Sequence, residues 1–165
     1  MDNEIKYFGK DDLTERDFFL LPLKFSLDIP KEFHLPSKHF ACFLVWDSQN
    51  NSKQEISGLI EILVKNGVAY FCAWGNDCER LEDVCDEIGS LNSPNDSVIM
   101  TTSHKNEPIE ETLYFFLTDT HPDEYYELTL RSSLVIIIGN NDKLQMIENA
   151  LSNTKLFRQN ILNEE

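Results

Sequence analysis

No purely apolar stretch in this 165-residue chain is longer than Phe40–Trp46, far below the roughly 20 residues that cross a bilayer. The first twenty residues mix Asp, Glu, Lys and Arg among the apolar positions, so the uninterrupted core of a secretory signal is missing as well. Basic residues are scarce: 14 Lys plus Arg stand against 29 Asp plus Glu, for a net charge of −15. That balance argues against direct binding to nucleic acid or to an anionic membrane, because both need cationic surface. Glycine is also scarce, at six residues, and neither GxGxxG nor GxxxxGK[ST] occurs. A dinucleotide or P-loop site therefore lacks its mechanical parts. GxSxG and HExxH are missing too, and His34, His39, His104 and His121 show no metal-ligand spacing with the cysteines. Neither metal nor cofactor is expected.

The four cysteines, Cys42, Cys72, Cys78 and Cys85, form no CxxC pair. On a helix, Cys78 and Cys85 lie about 10 Å apart along the axis, too far for a disulfide. A reducing cytoplasm is the expected compartment; Cys42 and Cys72 remain close enough on neighbouring strands for their redox state to stay open.

What is present is apolar periodicity. Leu23, Phe25, Leu27 and Ile29 alternate with polar residues between Pro22 and Pro30, which predicts a half-buried strand at an edge or in a flap. Residues 1–39 are thus expected to be an N-terminal extension packed on a single α/β domain spanning 40–165. Phe40–Trp46 and Val68–Trp74 are apolar at every position, as strands covered on both faces are. Between them Ser52-Lys53-Gln54-Glu55 supplies a capping box, and Ile56, Leu59, Ile60, Leu63 and Val64 stripe a helix ending at Asn66-Gly67. Asn76 or Asp77 caps a second helix with Cys78, Leu81, Cys85 and Ile88 inward. A short strand is predicted over Ser97–Thr102, then a helix led by Pro108, a β-branched strand at Leu134–Ile138, and a helix opened by Asn140-Asn141 whose tail runs on through Leu162. The alternation predicts a three-layer α/β sandwich, β-α-β-α-β-α-β-α, with a mostly parallel sheet of about four principal strands. His34 and His39 are expected in exposed loops.

In such a sheet, ligands meet the loops at the carboxyl ends of the strands. Asp47, Asp77, Cys78, Thr101, Thr102, His104 and Glu107 all fall at that edge. The sharpest catalytic arrangement makes Cys78 the nucleophile at a helix N-terminus, His104 its base, and Asp77, Asp47 or Glu107 the orienting carboxylate. Cys78 also lies in register with Leu81 and Cys85, the place of a buried core residue. Asp77 equally suits a helix cap, and His104 a surface or capping role. The second helix carries Glu79, Glu82, Asp83, Asp86 and Glu87 outward, with Arg80 alone to balance them. Asp86 and Glu87 gain nothing from the helix dipole and repel their neighbours one turn back.

The segments Ala73-Trp74-Gly75-Asn76-Asp77-Cys78-Glu79 and Met100-Thr101-Thr102-Ser103-His104-Lys105-Asn106-Glu107-Pro108, followed by Glu110, Glu111 and Phe115-Phe116, resemble an uncharacterised bacterial family with Ala-Trp-Gly-x-Asp-Cys-Glu and Met-Thr-Thr-Trp-His motifs. The likeness covers roughly Phe40 to Asp123. It implies a small bacterial α/β domain and no particular reaction, and it favours Asp77, Cys78, Thr101, Thr102 and His104 as one site. Ser103 stands where the family usually shows Trp, so a ring that would wall a pocket is missing. The expected function is a small acidic binding protein that docks on a basic protein partner, as an immunity or inhibitor protein does; the alternative is a Cys/His-dependent hydrolase or small-ligand binder working at the carboxyl edge.

Overall fold

Strands apolar along most of their length need cover on both faces, and the chain supplies it by sending helices to each side of one sheet. The structure, a computed structural model, describes residues 4–139 and 142–164. Its elements are β1 (Lys6–Lys10), β2 (Asp17–Leu23), β3 (His39–Trp46), α1 (Lys53–Lys65), β4 (Val68–Trp74), α2 (Cys78–Asn92), β5 (Met100–Ser103), α3 (Ile109–Thr118), β6 (Leu130–Ile138), α4 (Leu144–Ser152) and α5 (Thr154–Asn163). The sheet runs β1-β2-β6-β3-β4-β5, parallel throughout except for the antiparallel β1/β2 pair. Period-two alternation splits the core by face. Cys42, Leu44, Phe71, Leu134 and Ile136 meet Ile56, Leu63, Leu81 and Cys85 of α1 and α2. Phe43, Val45, Cys72, Val135 and Ile137 meet Leu113, Phe116, Ile147 and Leu151 of α3 and α4. Among the described residues, no helix is long and apolar enough to cross a membrane.

The middle of the chain folds as its pattern predicts. Ser52 accepts the Glu55 amide and α1 stops at Lys65, with Gly67 just beyond at φ 104. The first 39 residues differ. The predicted strand over Leu23–Ile29 does not form; Phe25 and Leu27 are 60 % and 82 % exposed, and Ser26–Asp28 is a short 3-10 turn whose Asp28 carboxylate accepts the Phe25 amide. The strand lies earlier, because Phe18-Phe19-Leu20-Leu21 is apolar on both faces and needs the interior place between β1 and β6. Pro22 is tolerated there for a geometric reason. The Leu23 carbonyl accepts the Gly139 amide, so Leu23 turns toward β6 and its neighbour Pro22 toward β1, whose pairing has already ended at Leu20. The sheet therefore has six strands, the four principal ones and two from the N-terminal extension.

Three smaller corrections follow from local hydrogen bonding. β5 begins at Met100 instead of Ser97, since the Ser97 amide and hydroxyl both turn back to the Pro94 carbonyl. The C-terminal tail is a separate helix: Asn153 (φ −153, ψ 79) breaks the chain after α4 and caps α5 by accepting the Leu156 amide. His39 opens β3, half-buried, with Nδ1 2.7 Å from Thr129 Oγ1 and its ring against Tyr126. Cys42 and Cys72 lie on opposite faces of the sheet, and both thiols are free. The helix start expected at Asn140-Asn141 lies outside the described residues.

Candidate functional site

Parallel register brings the carboxyl ends of five strands to one rim. Val45 pairs with Trp74, Trp46 with Ile138, Ala73 with Ser103, and Leu23 with Ile138. Two open clefts share that rim and meet at Asp47. One, of about 410 Å³, lies where the strand order reverses between β3 and β6 and is flanked by Trp46, Gly139, Lys24 and Phe25. The other, of about 440 Å³, is lined by Trp74, Gly75, Asp77, Cys78, His104 and Glu107 among others. Asp47 is the strut between their walls: its Oδ1 accepts the Asn76 amide at 2.7 Å.

The second cleft holds most of the residues expected at a site, and their contacts define what each does. His104 is pinned at both ring nitrogens, Nδ1 2.7 Å from Glu107 Oε2 and Nε2 3.0 Å from Thr102 Oγ1, with the Phe115 ring tilted against it at 4.8 Å. Glu107 also accepts from Thr112 Oγ1 through its carboxylate and from Trp74 Nε1 through its carbonyl. Hydroxyl, imidazole and carboxylate stand in the order of a nucleophilic triad, yet Thr102 lines neither cleft. What this chain of bonds does is fix the loop between β5 and α3 against Trp74.

Cys78 sits at the first turn of α2 but belongs to its buried stripe, at 1 % exposure. Burial pushes its thiol above the usual range, more than the His104 and Cys78 backbone amides lower it. The contacts therefore do not join the sulfur to the His104 ring as a nucleophile and base. Burial raises the others in the same direction, Cys72 to about 12. At neutral pH all are protonated, so the native protein is expected to leave its four thiols unlabelled by an aromatic disulfide reagent over a time in which the urea-unfolded chain reacts at all four. Rapid labelling of Cys78 alone would put that sulfur back in play.

Asp77 is not the side-chain cap that its position suggests. Its backbone is left-handed (φ 68) and its carboxylate makes no capping bond. Instead Oδ2 lies 2.8 Å from Arg80 Nε as an ion pair. The same guanidinium donates through Nη2 to the carbonyls of Ser48 and Asn51. Arg80 was legible only as a lone cation; that it ties the loop after β3 to α2 needs the fold.

The acidic residues of α2 divide into two groups. Glu79 faces Lys105 at 3.3 Å and Glu87 faces Lys53 at 3.4 Å, all four side chains exposed. Among the described residues, Glu82 and Asp86 meet no cation and accept only hydroxyls of β5, from Ser103 and Thr101. Asp83 beside them is exposed. Ser103 thus serves as a hydrogen-bond donor to Glu82.

The model of a family described as Domain of unknown function (DUF7684) matches residues 23–154. No curated protein matches the chain.

Proposed function

The chain belongs to the DUF7684 family, and we propose that its role is that of a binding module, docking a basic protein partner on the α2 side in the manner of an immunity or inhibitor protein. The observation that carries this reading is the fate of the one cation on α2. Arg80 is turned inward onto Asp77 and two carbonyls, so Glu82, Asp83 and Asp86 present negative charge that no basic side chain among the described residues offsets. Carboxylates one turn apart repel one another. A cationic partner removes that repulsion, and a chain of net charge −15 attracts such a partner at long range.

The test compares affinity capture from the native host by the full chain and by a variant carrying Glu82→Lys, Asp83→Lys and Asp86→Lys. A basic protein should be enriched by the former alone, and the complex should re-form from purified components. Its affinity should fall by about two orders of magnitude as salt rises from about 50 to about 500 mM, because screening shortens the reach of the charges. A complex that survives the triple reversal, or one indifferent to salt, would remove α2 from the interface.

A further inference from the structure

The two edges of the sheet are protected very unequally. β1 carries Lys6 and Lys10 and a register shift between Tyr7 and Gly9, the usual guards against stray strand pairing. β5 reads Met-Thr-Thr-Ser, with no Lys, Pro or bulge, and among the described residues it pairs only with β4. The His104 amide donates to the Ala73 carbonyl. Residues alternate in direction along a strand, so Thr102 and Met100 also turn their amides to β4, while the amides and carbonyls of Thr101 and Ser103 face away from the sheet.

What flanks this open edge has a sign and a spacing. On one face, Glu82 and Asp86 lie one helical turn apart, about 6 Å along α2. They sit over Ser103 and Thr101, two residues apart and about 6.6 Å along β5. Alternation turns Met100 to the other face, where it is 41 % exposed, and Val98, just before the strand, is 54 % exposed. We propose that β5 is a strand-addition site for an extended segment of the partner protein carrying Lys or Arg at alternate positions. The segment's backbone pairs with Thr101 and Ser103, its cations reach Glu82 and Asp86, and its intervening side chains cover Met100. This rests on the docking reading above and adds its geometry. A second copy of the chain is disfavoured as occupant, because it would bring another −15 to the same carboxylates.

The probe is a fluorescent peptide of about ten residues alternating Lys and Val, with two versions N-methylated at every second amide, one in each register. In anisotropy titrations against the full chain, one methylated register should bind about tenfold or more weaker and the other nearly as the parent does, since only one set of amides faces β5. Thr101→Pro removes an outward donor and leaves the β4 ladder intact; it should weaken binding about tenfold or more, while Thr101→Val, which loses only the hydroxyl, should stay within about threefold. On the unaltered protein, hydrogen exchange at the Thr101 and Ser103 amides should slow on adding the peptide, a readout independent of how Thr101→Pro folds. If both methylated peptides bind like the parent, or those two amides exchange unchanged, strand addition is wrong and charge docking stands. No binding by any of these peptides at about 50 mM salt overturns both readings. Self-association that Thr101→Pro abolishes would instead give the edge to a second copy.

Discussion

Replacing Asp11 by Ala should destabilise the protein by about 3–5 kcal/mol, because it leaves a guanidinium uncompensated inside the fold. Asp11 is buried, and its carboxylate accepts from the Thr14 amide and hydroxyl, from Thr154 Oγ1 and from Arg158 Nη2. These bonds tie the turn between β1 and β2 to α5, joining the two ends of the described chain. Urea unfolding at neutral pH measures the loss, and the paired variant Asp11→Ala, Arg158→Met should recover a large part of it, since removing both charges costs less than orphaning one. Burial by itself would raise the Asp11 carboxyl, but the bonds from Thr154, Arg158 and Thr14 outweigh it and hold the group below its ordinary value of 3.8. The folded carboxyl thus titrates below the unfolded one. Its stabilisation is complete above about pH 4 and disappears as pH falls through the folded value. Unfolding free energies collected from neutral pH into acid should therefore fall more steeply for the wild type than for Asp11→Ala. Parallel acid profiles would show that Asp11 gains nothing from its partners.

That clamp marks the limit of what the amino-acid sequence discloses. β3, α1, β4 and α2 are legible because each signal is local: seven apolar residues in a row, a Ser with Glu three residues on, a stripe at helical spacing. Asp11 and Arg158 are 147 residues apart, and neither sits in a pattern of its own. β2 was obscured by a competing signal, for the alternation from Leu23 to Ile29 has the right period but lacks a second strand to cover it, while Pro22 hides a true interior strand whose missing amide faces the place where β1 has stopped. At the carboxyl edge the residues were legible and their partners were not. Cys78 and His104 meet the same cleft, yet the imidazole is consumed by Glu107 and Thr102 and the sulfur by the apolar stripe. The acidity of α2 was plain in the composition. Which carboxylates keep their charge unopposed depended on where Lys53, Arg80 and Lys105 reach, and only the packing decides that.

Gly75→Ala is the substitution expected to disturb the rim most. An added Cβ would stand 2.3 Å from the Trp46 carbonyl oxygen and 2.7 Å from its carbon, both backbone atoms with no rotamer to yield. The backbone at Gly75 also has φ 128, which L residues rarely adopt. Strain and overlap together should cost about 3 kcal/mol or more. Gly139 supplies the comparison, at the end of β6 with φ 106 and, among the described residues, nothing within 4 Å of the place an added methyl would take. Gly139→Ala carries the conformational strain without the overlap and should cost about 1–2 kcal/mol. The difference between the two in thermal or urea unfolding isolates the close approach of the β4 turn to β3. Relieving that overlap has to separate the loop at Asn76 from Asp47, and Cys78, whose amide donates to the Gly75 carbonyl, moves with it. The displacement then passes along α2 to Glu82 and Asp86. Where Gly75→Ala still folds, it should weaken the cationic peptide at β5 although residue 75 lies at the far end of α2, whereas Gly139→Ala should leave that binding alone. Equal costs for the two alanines would mean that the Trp46 carbonyl does not constrain the turn, and the rim would then owe its shape to Asp47 alone.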